Sequence, residues 1–87
     1  MPNEEKLLEK MRASKHGWGA DDLRSLLTGF DFLLRQGGKH IFYYHRNFPD
    51  IHMTVARHRS LPVGYIQKAI KLVDELKRRQ GTHAENR

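Results

Sequence analysis

His40 follows Gly37, Gly38 and Lys39 in the stretch GGKHIFYYHRNFPD. Imidazole is the side chain that, unperturbed, takes or gives a proton near neutrality, and an ammonium beside it can steady phosphate charge. Glycines ahead of the pair let a backbone or a phosphate approach closely. Such a set suits phosphodiester cleavage in which a 2′-hydroxyl attacks the adjacent phosphorus, with a base near the hydroxyl and a cation near the phosphate. On spacing alone, a surface histidine on a hairpin is the plainer reading.

A second set mixes cations and rings. Arg35, Lys39, Arg46, Arg57 and Arg59 fall on strand-like or turn segments, with Tyr43, Tyr44 and Phe48 among them. Single-stranded RNA is bound by this mixture, cations taking phosphates and rings stacking on bases. Aromatic residues in a strand are also ordinary core. Alternation puts Phe42 and Tyr44 on one face, with His40, and Lys39, Ile41, Tyr43 and His45 on the other, but leaves open which face is buried. As possible metal ligands, His40, His45, His52 and His58 have a spacing that matches no ligand signature, and the chain has no cysteine, so no metal centre and no other cofactor is expected.

The elements that must position these residues are legible from periodicity. Leu7, Leu8 and Met11 mark a short peripheral helix with acidic residues in its first turn. SKHGWG breaks it, and Asp21 and Asp22 open a second helix carrying Leu23, Leu26 and Leu27, which Gly29 should end. Three strand-like runs follow at 30–36, 39–46 and 51–58, joined by Gly37-Gly38 and by a turn containing Asn47, Pro49 and Asp50. Ser60 and Pro62 suit the start of a last helix with Ile66, Ala69, Ile70, Val73 and Leu76 along one face. Residues from Lys77 offer no large apolar anchor, so a frayed end is expected. The expected fold is an α+β sandwich in which a three-stranded antiparallel sheet packs against the second and last helices.

At 87 residues the chain suffices for one small domain. Lys and Arg number 16 against 10 Asp and Glu, a net charge of +6 that points to an acidic partner such as nucleic acid. No apolar run approaches the roughly 20 residues needed to cross a bilayer, and MPNEEKLLEK lacks the apolar stretch of a secretory signal, so a cytoplasmic location and no membrane partner are expected. Without cysteine, stability must come from packing.

From about Leu7 to Leu76 the chain resembles the HicA family of bacterial toxin endoribonucleases, which have a double-stranded-RNA-binding-like fold. Three segments carry the resemblance: DDLRSLLTGFDFLLRQ, a helix running into a strand; GGKH-IFYYH, similar to the family's Gly-Ser/Thr-His and apolar strand; and TVARH followed by LPVGYIQKAIKLV, similar to its Val-Pro-x-His strand end and closing helix. Lys39 departs from the usual small hydroxyl residue and Ala56 from proline. The resemblance implies an N-terminal helical extension over 1–17, a HicA-like α-β-β-β-α domain over 18–78 and a flexible tail over 79–87. It further implies an mRNA interferase of a type II toxin-antitoxin system, a hydrolase cleaving single-stranded RNA without metal, inhibited by a HicB-type antitoxin protein. His40 would be catalytic, and Gly38, Lys39, Arg35, Tyr43, Arg46, Arg57 and His58 would contact RNA. A non-catalytic RNA-binding module of the same fold is the alternative, and a protein whose basic face binds only an acidic partner chain is a third reading.

Overall fold

The computed structural model describes residues 3–57 and 61–85, the last four as backbone only. Helices α1 (Asn3–Ala13) and α2 (Ala20–Gly29) precede strands β1 (Phe32–Gln36), β2 (His40–His45) and β3 (His52–Ala56), and helix α3 (Val63–Glu85) closes the chain. The strands form one antiparallel sheet in the order β1-β2-β3. The expected α+β class and order of elements are therefore present, with β1 and β2 each two residues shorter than their expected runs and β3 beginning one residue later than its run.

Local chemistry explains the boundaries. Gly17 turns the chain after α1 with φ +81°, a left-handed conformation that glycine adopts without a Cβ penalty. The Gly19 N–H, one of the donors that a helix start leaves unsatisfied, donates to the Asp22 carboxylate at 2.9 Å, so a side chain inside the helix caps it from within. At the other end, the Phe30 and Asp31 N–H groups donate to the carbonyls of Leu27 and Thr28, and Asp31 takes φ 70° to turn the chain into β1. Asp tolerates that region better than most residues. Phe30, expected at the start of the strand, thus belongs to the end of α2.

Alternation along the strands decides which side chains enter the core. Phe32, Tyr43, Met53 and Val55 are buried against Leu23, Leu26 and Leu27 of α2 and Ile66, Ala69, Ile70, Val73 and Leu76 of α3. Each fully buried apolar side chain of this size is worth about 1.5–3 kcal/mol relative to exposure. The periodicity of both helices reads correctly from sequence.

Two expectations need correction. First, α1 is not peripheral: Leu8 and Met11 are buried in the same core, and Arg12 pairs with Asp74 while Lys77 donates to Glu5 at 2.7 Å, both partners lying on α3. These pairs are largely solvated and add little, so the apolar contacts hold the helix. Second, α3 does not stop where the tail was expected at residue 79. Arg79 donates to Glu75 at 2.9 Å and reaches Asp50 of the β2–β3 turn at 2.7 Å, also lying over the Phe48 ring at 5.8 Å. Long side chains and i,i+4 pairing substitute for the missing apolar anchor, and the helix runs to Glu85.

α1 and α2 approach closely at Gly29, where an added Cβ would lie 2.6 Å from the Glu4 Cβ. Since that neighbour is attached directly to the α1 backbone, it cannot swing aside. Gly29→Ala is expected to lower stability by about 1–3 kcal/mol through overpacking. Gly81→Ala, in open space on α3, should instead raise it by up to about 1 kcal/mol. Urea denaturation of both variants checks the pair, and a stabilised Gly29→Ala protein contradicts the close approach.

Candidate functional site

The β1–β2 hairpin fixes the site. Its loop is Gly37, Gly38 and Lys39, closed by the Gly37 N–H donating to the His40 carbonyl at 2.8 Å, so that Gln36 pairs with Ile41 and Arg35 with Phe42. Because Ile41 and Tyr43 face the helices, His40, Phe42 and Tyr44 face away from them. Across the ladders this outer face is completed by Arg35 and Leu33 on β1, and by Ala56, Thr54 and His52 on β3. Among the described residues no element covers it.

The outer face is an aromatic platform with cations at its margin. Phe42 and Tyr44 stack at 5.6 Å between ring centroids and 26° between planes, and the His52 ring lies 5.4 Å from Phe42. Arg35, Lys39 and His40 are exposed at the hairpin end, and none of the three side chains makes a hydrogen bond or ion pair with a described residue. Stacked rings beside unpaired cations can take bases and phosphates respectively. An unpaired imidazole at that margin can accept or donate a proton. His52 stands opposite Tyr44, four residues along β2 from His40, or roughly 13 Å at about 3.3 Å per residue. That distance is too great for the two imidazoles to share one phosphodiester, so among the described residues His40 has no second imidazole beside it.

Other expected contacts are distributed differently. Tyr43 is 1 % exposed, a core residue whose phenol is pushed to higher pKa by burial, and it is no part of the outer face. The alternation that frees His40 is what buries it. Arg46 is exposed but follows the far end of β2, about 20 Å from His40 by strand rise. Arg57 sits at the hairpin end with its guanidinium donating to the Gln36 side-chain oxygen at 2.8 Å and the Gly37 carbonyl at 3.2 Å, while its N–H donates to the Lys39 carbonyl. It braces the loop that carries Lys39. Gly38 has nothing within 4 Å of a built Cβ, so packing does not demand a glycine there. His58 and Arg59 lie outside the described residues.

Phe42 and Tyr44 are outer-face residues that strand alternation named without assigning a side, and His52, read from sequence only as a possible metal ligand, joins them. The clean polar–apolar alternation of His52-Met53-Thr54-Val55 was the signal, because Thr54 opposite Phe42 marks the solvent face. Using it requires the β2–β3 register, which the six residues between the strands do not disclose.

The histidines weighed as metal ligands are split by the sheet: His40 and His52 lie outside and His45 inside. No group of three or more possible ligands gathers among the described residues. The inward ring of His45 packs edge-on to Phe32 at 5.1 Å, and its Nδ1 accepts the Asn47 N–H at 3.0 Å, holding the β2–β3 turn. Its Nε2 is buried without a hydrogen-bond partner. No helix among the described residues is long and apolar enough to cross a membrane. Comparison of the chain with protein-family models, curated proteins and solved structures found no match in any of the three.

Burial lowers the His45 pKa below its ordinary value, with the nearby Phe30 carbonyl and Asp31 carboxylate only partly offsetting the effect. Below about pH 6.5 the unfolded chain therefore binds a proton that the folded chain refuses. Stability should be flat with respect to this group above that pH and fall as pH drops below it, by at most about 1.4 kcal/mol per pH unit, until the folded pKa is passed. In His45→Asn, which keeps an acceptor for the Asn47 N–H, the fall between pH 7 and 5 should flatten even though the variant is less stable. Thermal unfolding across that range tests it; an unchanged slope assigns the pH dependence to other groups.

Proposed function

We propose that this protein is a HicA-like endoribonuclease, cutting single-stranded RNA laid across the outer face of the sheet with His40 as the proton-transferring group. The observation that carries the reading is the exposed, unpaired His40 at the hairpin end, between Lys39 and the Phe42–Tyr44 stack. Rings on the platform stack bases, Lys39 and Arg35 take adjacent phosphates, and His40 withdraws the 2′-hydroxyl proton as the oxygen attacks phosphorus. The 5′-oxygen leaves with a proton from the same imidazole or from water, giving a 2′,3′-cyclic phosphate, and no metal is required for that sequence.

The order α2-β1-β2-β3-α3 agrees with the double-stranded-RNA-binding-like arrangement, to which α1 adds a helix sharing the core. Lys39, where the family has a hydroxyl residue, supplies a phosphate cation in this reading. A HicB-type antitoxin, if it blocks the reaction, would do so by covering the same face. The alternative, an RNA-binding module that does not cut, is favoured by one observation: His40 has no second imidazole within reach among the described residues.

Inducible expression of wild type and His40→Ala in bacteria, with growth and RNA integrity followed, distinguishes the two. Loss of one general acid–base group should slow cleavage by about 10²–10⁴-fold, enough to abolish growth arrest, with folded yield unchanged because the side chain is exposed. Equal arrest and equal RNA decay by both proteins exclude a catalytic His40. RNA affinity without any cleavage supports the binding module, with a log–log salt slope of about −0.7 per phosphate neutralised.

A further inference from the structure

On the helix side of the sheet, directly behind the hairpin, lies an open cleft of about 280 Å³ between the first turn of α2 and the ends of β2 and β3. Its walls are apolar at Leu23, Ile41 and Val55, and its polar groups are Asp21, Arg24, Gln36, Tyr43 and Arg57. Tyr43 is 99 % removed from solvent, yet its hydroxyl makes no hydrogen bond with any described residue. The hydroxyl is not sealed from solvent, His45 Nε2 being the one such unpartnered atom among the described residues, so the contact with water that Tyr43 keeps is one a ligand in the cleft could replace. Tyr43 lines the cleft together with Asp21 and Arg24 of α2.

The polar groups do not suit a phosphate. Arg57 is committed to Gln36 and the Gly37 carbonyl, the start of α2 is already capped by Asp22, and Asp21 would repel an anion. They suit a planar, neutral heterocycle held between apolar walls, and the volume, just below the about 300–1,000 Å³ of ordinary ligand sites, suits one base rather than a larger ligand. Asp21 and Arg24 stand three residues apart on one helix face, a carboxylate acceptor beside a guanidinium donor. Guanine is the base whose pairing edge presents two adjacent N–H donors to one carboxylate and an oxygen acceptor next to them.

We infer that the cleft is a guanine subsite, in which Asp21 accepts from N1–H and N2–H, Arg24 donates to O6 and the Tyr43 hydroxyl completes the set. The inference rests on the RNA reading above and adds base preference to it. His40 and the cleft are on opposite faces but at the same end of the sheet, since His40 pairs with Ala56 and Ala56 lines the cleft. A strand bending round the hairpin reaches both.

The test titrates the His40→Ala protein with guanosine, adenosine, cytidine and uridine, following Tyr43 and Arg24 resonances by NMR. Guanosine should bind about tenfold or more tighter than the others. Asp21→Asn, an exposed change, should erase that preference, and Tyr43→Phe should weaken guanosine binding while the melting temperature stays near that of wild type. Equal affinity for the four nucleosides, a preference that survives Asp21→Asn, or displacement by inorganic phosphate each overturns the assignment. Because nucleoside binding needs no cleavage, the two readings fail separately. If His40→Ala still cuts RNA, the catalytic role falls and a guanosine preference stands; if His40 is essential but no nucleoside preference exists, only the subsite falls.

Discussion

Burial of Tyr43 beneath α2 sets the side of the sheet on which everything else falls. Successive strand residues point to opposite faces, so placing Tyr43 and Ile41 against the helices exposes His40, Phe42 and Tyr44 together. A slip of one residue in the pairing would reverse the whole set, burying His40 and exposing Tyr43. The three-residue hairpin loop resists that slip because its closing bond, Gly37 N–H to the His40 carbonyl, ties the register to the same residue that the site uses. Arg57 strengthens it by bonding to both Gln36 and Gly37.

The helices serve that arrangement in different ways. α2 and α3 supply most of the apolar surface that Tyr43, Met53 and Val55 need. α1 extends the same core at its margin through Leu8 and Met11, which in so short a chain is a material share of the buried surface. Gly29 sets how closely α1 can lie, and α3 reaches back through Arg79 to Asp50 to hold the turn after β2. His45 secures that turn from inside, where its ring is packed between Phe32 and Phe48.

One strand therefore serves two surfaces. Its outer residues form the ring platform with His40 at the margin, and its inner residues line the cleft behind the hairpin. Arg57 lies where the two meet, which explains why a cation that composition marks for nucleic acid is spent on bracing the loop. Arg35, across from Phe42, and Lys39, in the hairpin loop, are exposed cations without a partner among the described residues.

Much of this was legible in the chain before folding is considered. The 3.6-residue spacing in α2 and α3, the glycine break before Trp18 and the aromatic, β-branched runs announce helix or strand because each is a local rule about which side chains share a face. Local rules also placed His40 next to a flexible loop. They stopped at three points. Alternation on β2 offers two apolar-looking faces, and only pairing with β3 selects one, because Thr54 and His52 cannot be buried as cheaply as Met53 and Val55. The length of α3 escaped because its last turns are held by long polar side chains reaching other elements. The cleft escaped altogether, since Asp21, Arg24, Tyr43 and Arg57 become neighbours only when α2 lies across the sheet. Secondary structure follows from contacts a few residues apart; which face is a surface, and which distant side chains converge on it, follows from long-range packing.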